Sequence, residues 1–127
     1  MNLLLDTSVL IDALRSRNVR RELLAKLVNE GHHFSTTALN IAEVYAGIRP
    51  GEHVRTAAFL DNLECHELTA NSGRRAGLLK NEWAGKGRTL SLSDTIIAAI
   101  AIEKECSLMT DNRKDFPMPE LNLYPLT

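Results

Sequence analysis

The sequence predicts an α/β fold in which a parallel sheet is covered by helices on both faces. Short apolar runs alternate with longer segments that repeat apolar residues at helical spacing, a pattern typical of right-handed β-α-β crossovers. Residues 3–5 are all leucine, as expected of a strand buried on both faces of such a sheet. The chain has 127 residues and no linker or internal repeat, so residues 1–127 are expected to form a single domain.

The elements follow one another in a regular order. Strands are expected at residues 3–5, 33–36, 64–68, 107–110 and 121–124, which makes a sheet of about five strands. A helix is expected to begin after residue 6, and others to run through residues 19–28 and 38–48. A fourth follows with Phe59, Leu60 and Leu63 facing inward, a fifth begins at residue 69 or 71, and a sixth spans residues 93–105. The last of these helices is apolar nearly all round and is therefore expected to be buried on most faces.

The composition is that of a soluble globular protein, with 44% hydrophobic and 24% charged residues. No apolar run approaches the ~20 residues of a membrane span, and the N-terminal residues do not resemble a signal peptide, so a cytoplasmic protein without membrane contact is expected. Cys65 and Cys106 lack metal-binding spacing and are expected to be reduced thiols in or near the core.

The charge pattern limits how the protein could bind nucleic acid. A net charge of -1 argues against attachment by bulk electrostatics alone. A local basic run does exist at Arg15, Arg17, Arg20 and Arg21. Such a run is usually a solvated helix face, and contact with RNA phosphates is the alternative interpretation.

Asp6 directly follows the first predicted strand and precedes a helix that starts at Thr7 and Ser8. Open α/β sheets bind ligands at the carboxyl ends of their strands, which would place Asp6 in such a site. An acid at this position can also cap the following helix through its side chain. For Asp6 alone, both interpretations are open.

Three further acids stand beside elements that are expected to be buried. Glu43 projects from a helical face of small and apolar residues, although it could equally lie at the exposed edge of that face. Asp94 opens the apolar sixth helix and could be the last residue of a capping box that starts at Ser91. Asp111 ends the strand at residues 107–110, where an ordinary turn would also place an acid. Each acid has its own structural explanation, but together the four favour a shared site.

This shared site should lie at one edge of the sheet. The carboxyl ends of parallel strands meet there, which brings Asp6 and Asp111 together, and the helix opened by Asp94 begins at the same edge. Clustered carboxylates raise one another's pKa unless a cation lies between them. Oxygen ligands without His or Cys favour Mg²⁺ or Mn²⁺ over zinc. The sequence therefore predicts a magnesium or manganese site suited to phosphoryl chemistry.

In four motifs the chain resembles the PIN-domain ribonucleases, and among them the VapC toxins of bacterial type II toxin–antitoxin systems. The motifs are Leu5-Asp6-Thr7-Ser8, Ala42-Glu43-Val44, Leu92-Ser93-Asp94-Thr95-Ile96-Ile97-Ala98-Ala99 and Thr110-Asp111-Asn112-Arg113-Lys114-Asp115-Phe116. They occur in the family's order, and the resemblance covers the whole chain. A single Asp-Thr-Ser would be a weak signal, whereas the ordered set of four is specific.

The resemblance implies a PIN-like fold with a five-stranded parallel sheet, a homodimer, and Mg²⁺- or Mn²⁺-dependent endonucleolytic cleavage of RNA, often tRNA or rRNA. It also implies a cognate VapB antitoxin that inhibits by inserting a peptide segment into the active-site groove. By matching position, Asp6, Glu43 and Asp94 correspond to the main catalytic and metal-binding acids. Thr7 or Ser8 would supply a hydroxyl near the metal.

The fourth acidic position departs from the family's pattern. The family usually has an acid or Asn two residues after the Thr, which is Asn112 in this chain. Asp111 occupies the intervening position, and Asp115 matches the acid that often precedes the Phe. On strand-end geometry we expect Asp111 to complete the catalytic and metal-binding set, with Asn112 and Asp115 as the alternatives.

Two other functions remain compatible with the sequence. One is a housekeeping PIN-domain nuclease that has no antitoxin. The other is a regulatory or interaction protein that keeps the fold and has lost the chemistry, against which the four acids argue.

Overall fold

Within residues 1–126, which the computed structural model of the chain describes, four parallel strands form one sheet surrounded by six α-helices. The strands are β1 (Asn2–Leu5), β2 (His33–Thr37), β3 (Glu64–His66) and β4 (Ser107–Met109). The helices are α1 (Thr7–Leu14), α2 (Arg20–Asn29), α3 (Ala38–Ala46), α4 (His53–Leu60), α5 (Ala70–Gly85) and α6 (Leu92–Glu103). The predicted α/β class with a parallel sheet is confirmed.

β1 lies inside the sheet, whose strand order is β3-β2-β1-β4. Leu3, Leu4 and Leu5 have no exposed surface. Because successive strand residues face opposite sides of a sheet, Leu4 packs in a cluster with α5 and α6, whereas Leu3 and Leu5 pack with α1 and α2. Both faces of the sheet are therefore covered, as predicted.

The sheet has four strands rather than about five, because the predicted last strand forms only a single bridge. Leu123 pairs in parallel with Leu108, and two backbone hydrogen bonds of 2.8 Å join Leu108 to Asn122 and Tyr124. The pairing stops after this one bridge, and Pro125 follows at once.

Two elements end earlier than the sequence predicts. β3 ends at His66, two residues earlier than predicted, and α3 ends at Ala46 rather than residue 48.

Both cysteines are unpaired, but only Cys106 is buried, whereas Cys65 on the edge strand β3 is exposed. Among the helices of residues 1–126, none combines the length and the apolar character needed to cross a membrane.

The carboxyl edge of the sheet brings three strand ends together. Asp6 follows β1, Thr37 is the last residue of β2, and Thr110 follows β4. All three side chains are buried. Helices α1 and α3 begin immediately after Asp6 and Thr37, so the first turns of both helices also lie at this edge.

Candidate active site at the carboxyl edge of the sheet

Asp6 is buried, with 5% of its surface exposed, and its carboxylate accepts hydrogen bonds from α3 and from the end of β4. Its Oδ1 accepts a hydrogen bond of 3.0 Å from Asn40 Nδ2, and its Oδ2 accepts one of 2.6 Å from Thr110 Oγ1. Asp6 occupies the N-cap position of α1, yet its side chain makes no capping hydrogen bond. Side-chain capping therefore does not explain the acid, and its two oxygens are fixed by residues of α3 and of the β4 end.

Asn40 is a residue of this site that the sequence analysis missed. It has no exposed surface, and its Nδ2 lies 3.0 Å from both Asp6 Oδ1 and Thr7 Oγ1. Its Oδ1 accepts a 2.6 Å bond from Thr37 Oγ1, the hydroxyl that also caps α3 by accepting from the Asn40 N–H. Asn40 stands on the buried side of an amphipathic helix, where an apolar residue would be expected. This polar residue at a buried position is the sequence signal that could have identified it.

Replacement of Asn40 by alanine is expected to lower the free energy of unfolding by about 2–4 kcal/mol, because it leaves a cavity and unpaired buried partners at Asp6 and Thr37. Urea denaturation followed by circular dichroism measures the change. Asn62→Ala is the matched control, because Asn62 is exposed and bonds only the Ala58 carbonyl, so its loss should stay within about 0.5 kcal/mol. Equal losses in the two variants would contradict a structural role for the Asn40 network.

Glu43 stands on α3, one turn after Asn40, and is exposed. Its Oε1 accepts a hydrogen bond of 2.8 Å from Thr7 Oγ1. Thr7 thus accepts from Asn40 and donates to Glu43, which links the orientation of Glu43 to that of Asp6. Ser8, the other hydroxyl of the first motif, instead accepts the Asp111 N–H at 3.3 Å.

Asp94 lies in the first turn of α6 and is half-buried. Its backbone N–H donates to Ser91 Oγ at 3.1 Å, so Ser91 caps α6 as half of the predicted capping box. That bond uses only the backbone of Asp94. The Ser91 hydroxyl also lowers the pKa of the Asp94 carboxyl, so capping accounts for the position of Asp94 and for one neighbour of its carboxylate, but not for the nearby charges of Asp115 and Asp6.

The acids of the β4 end divide into two environments. Asp111 Oδ1 accepts a 2.6 Å bond from Arg20 Nη2, so its negative charge already has a cationic partner. Asp115 ends a 3-10 turn (Arg113–Asp115), and its charge acts on Asp94. Asp111 is thus already ion-paired, whereas the charge of Asp115 acts on Asp94, and the identity of the fourth acid stays a prediction at this point. Asn112 is exposed, and its backbone N–H donates to Thr110 Oγ1.

Three of the four arginines of the basic run are held by contacts within the protein. Arg20 is buried, and Arg21 donates to the carbonyls of the last turn of α1. Arg15 bonds both carboxylate oxygens of Glu52 and the Gly47 carbonyl. These contacts occupy the guanidinium groups of Arg15, Arg20 and Arg21, which does not favour the alternative interpretation that they contact RNA phosphates. Arg17 is exposed.

The Arg15 pair gives a pH-dependent expectation. Hydrogen bonds from Arg15 and from the Arg49 N–H lower the pKa of Glu52 from 4.5 to about 2. Because the pKa is depressed in the folded state, the stabilisation is present above pH 4.5 and is lost as pH falls towards 2. Glu52→Gln should therefore lower the thermal unfolding midpoint at pH 7, and the difference from wild type should shrink across that window. A difference that does not vary with pH would contradict this assignment.

Electrostatics couple the acids of the edge to one another. Burial raises the pKa of Asp6, against hydrogen bonds from Thr110, the Thr7 backbone and Asn40, and the charge of Glu43 raises it further. Burial also raises the pKa of Asp94, the Ser91 hydroxyl lowers it, and the charges of Asp115 and Asp6 raise it. Asp6, Glu43, Asp94 and Asp115 therefore form one group of mutually repelling carboxylates, which we call the acidic edge.

The donor chemistry of the acidic edge fits a hard divalent cation. Within residues 1–126, no three His, Cys, Asp or Glu side chains are arranged to hold one metal ion by themselves. Mg²⁺ does not require three, since it usually binds through one or two carboxylates, keeps several waters and takes further oxygens from substrate phosphates. The raised pKa of Asp6 and Asp94 reflects in part negative charge that a bound cation would neutralise.

Comparison with known proteins identifies the family of this chain. The sequence model of the PIN domain matches residues 3–118. The chain belongs to the PIN-domain family. This confirms the resemblance drawn from the four motifs, and the acids at the carboxyl edge are the residues on which that resemblance rested.

Proteins similar to this PIN domain include a VapC ribonuclease and VapBC toxin–antitoxin complexes. Ribonuclease VapC19 of Mycobacterium tuberculosis is 33% identical over 119 residues, which cover 93% of this chain and 95% of the relative. Among solved structures, VapBC2 of Rickettsia felis bound to a promoter DNA fragment aligns with a TM-score of 0.85 and 24% identity over 98% of both chains. A toxin–antitoxin complex from Klebsiella pneumoniae aligns with a TM-score of 0.78 and 26% identity over 98% and 99% of the two chains.

Proposed function

We propose that this PIN domain is a Mg²⁺- or Mn²⁺-dependent endoribonuclease that cleaves tRNA or rRNA and acts as the toxin of a VapBC pair. The observation that carries the proposal is the acidic edge. There Asp6 is fixed by hydrogen bonds from Asn40 and Thr110, the charge of Glu43 raises the pKa of Asp6, and the charge of Asp6 raises the pKa of Asp94. The similarity to a protein named ribonuclease over 93% of the chain supports RNA as the substrate.

The residues of the acidic edge would have different roles. Asp6 and Asp94 would be ligands of the cation, and Glu43 and Asp115 would contact it directly or through water. When bound, the cation supplies positive charge that stabilises the phosphate during in-line attack by water. Asn40 and Thr110 donate to separate oxygens of Asp6 and so prevent its carboxylate from rotating. The Thr7 hydroxyl donates a 2.8 Å hydrogen bond to Glu43 Oε1 and thereby limits the positions of the Glu43 side chain.

The antitoxin part of the proposal is supported by a groove that lies away from the acidic edge. It has a volume of about 750 Å³ and runs between α2 and α4 beside β2. Leu24, Val28 and Phe59 line it, together with Arg21 and Arg55, and among the described residues no acidic side chain lines it. An apolar segment that carries acidic residues would match this lining. A VapB-type antitoxin could then bind here as well as reach the active site, and a homodimer remains the expected assembly.

The test of the proposed function combines cleavage with growth. The purified protein is incubated with total tRNA and rRNA in Mg²⁺ or Mn²⁺, and cut sites are mapped from the new 5′ ends. In parallel, the gene is expressed alone and with the product of any small DNA-binding protein gene just upstream. We expect cleavage at few sites and growth arrest that the partner relieves. Cleavage without growth arrest would indicate a housekeeping nuclease, and neither effect would indicate a non-catalytic PIN fold.

A further inference from the structure

An ion pair joins two segments that are 91 residues apart in sequence and flank the acidic edge. Arg20 Nη2 donates to Asp111 Oδ1 at 2.6 Å. The Arg20 side chain is 7% exposed and that of Asp111 is 32% exposed, so water screens this pair less than an ordinary surface pair. Arg20 starts α2, and Asp111 starts the loop that leads to Asp115.

The backbone that delivers Arg20 is unusual. Ser16, Asn18 and Val19 all have positive φ, and Val19, a β-branched residue, sits in the left-handed region at φ 57°. Such a conformation persists only where surrounding contacts enforce it. Asn18 Nδ2 bonds Asp12 Oδ2 at 2.8 Å, and the Asn18 carbonyl accepts from Arg20 Nη1 at 3.2 Å. The strained turn between α1 and α2 therefore places Arg20 in a fixed position.

On the other side of the pair, the loop at residues 110–115 is bonded at each of its first three residues. Thr110 donates to Asp6 Oδ2, the Asp111 N–H donates to Ser8 Oγ, and the Asn112 N–H donates to Thr110 Oγ1. The Asp115 N–H then donates to the Asn112 carbonyl and closes the 3-10 turn. The contact of Asp111 with Arg20 adds a side-chain restraint to this chain of bonds.

We propose that Arg20 and Asp111 are positioning residues whose ion pair holds the 110–115 loop so that Asp115, and not Asp111, is the fourth acid of the active site. This inference rests on the proposed nuclease function for its activity readout. It reassigns both residues: Asp111 is withdrawn from the metal ligands, because a guanidinium already neutralises its carboxylate. Arg20 is withdrawn from the RNA contacts, because its side chain is directed into the fold.

The test is a double-mutant cycle with Arg20→Met, Asp111→Asn and the two together, measured as kcat and KM for RNA cleavage in Mn²⁺. Loss of one charge-assisted contact should lower kcat about tenfold in each single variant, with little change in KM. In the Arg20→Met background, Asp111→Asn should have almost no further effect, since the contact is already gone. Arg74→Met, which removes an exposed arginine on α5, is the matched control and should retain wild-type kcat.

Two outcomes of the cycle would overturn the assignment. If Asp111 binds metal, Asp111→Asn will still lower kcat, and raise the Mn²⁺ concentration needed, when Arg20 is already replaced. If Arg20 binds RNA, Arg20→Met will raise KM and weaken its salt dependence while Asp111→Asn leaves KM unchanged. Should Arg20→Met not fold, Arg20→Gln removes the cation, keeps a polar side chain at this position and takes its place in the cycle.

Hydrogen–deuterium exchange keeps the test independent of the proposed function. Each single variant should speed exchange of the amides at residues 111–116 several-fold and leave α5 unchanged, whether or not the wild type cuts RNA. Unchanged exchange in that loop would overturn the positioning role by itself. If the wild type cuts no RNA but the loop loosens in both variants, the ion pair stands and only the nuclease function fails.

Discussion

Asp6→Asn is expected to lower the rate of RNA cleavage about a thousandfold, equivalent to ~4 kcal/mol of transition-state stabilisation. Asp6 is the acid that both Asn40 and Thr110 orient, so its negative charge is the one most firmly fixed at the site. The amide retains the hydrogen bonds, because its oxygen can face Asn40 while its NH₂ donates to the Thr110 hydroxyl. Initial rates in saturating Mn²⁺ measure the loss, and circular dichroism checks the fold.

The control for Asp6→Asn is the same change at Asp61, an exposed acid at the end of α4. Asp61→Asn should cleave RNA at the wild-type rate, which excludes a general effect of one fewer negative charge. Wild-type cleavage by Asp6→Asn would show that the acidic edge is not the active site, whatever the fate of the Asp61 variant.

Asp94→Asn should weaken Mn²⁺ binding at least tenfold, about 1.4 kcal/mol, and should not reduce the stability of the metal-free protein. Burial and the charges of Asp115 and Asp6 raise the pKa of Asp94, so ionisation of its carboxyl disfavours the folded state as pH rises above its unfolded pKa. Removing the charge relieves this repulsion, while the backbone bond to Ser91 stays in place. Calorimetric titration and urea denaturation without metal measure the two effects.

The capping interpretation makes the opposite prediction for Asp94. A negative charge in the first turn of α6 interacts favourably with the helix dipole, typically by 0.3–1 kcal/mol. If that were its main role, Asp94→Asn would lower the metal-free stability by about this amount and leave the Mn²⁺ affinity unchanged.

Much of the acidic edge could be predicted from local sequence. Asp6 and Asp94 each interrupt a strongly apolar context, and a buried element that meets an acid is a pattern visible without a structure. The parallel sheet followed from the same alternation. The fifth strand was overestimated because an apolar segment can supply side chains to the core without a backbone ladder, and only the one bridge at Leu123 forms here.

The missed features depend on contacts between distant segments. Asn40 is a polar residue on the buried side of α3, but its partners cannot be identified until β1 and β2 are placed side by side and its amide meets Asp6 and Thr37. Arg20 resembles one more charge in a basic run, because its partner Asp111 lies 91 residues away. For the same reason, strand-end geometry alone could not distinguish Asp111 from Asp115 as the fourth acid.

RNA cleavage by this protein should depend on a divalent cation bound at the acidic edge. To test this, the wild-type protein is stripped with EDTA, the chelator is removed, and RNA cleavage is followed as Mn²⁺ is added back. We expect no cleavage by the stripped protein and recovery of the full rate with Mn²⁺. Undiminished cleavage by the stripped protein in the continued presence of EDTA would contradict it.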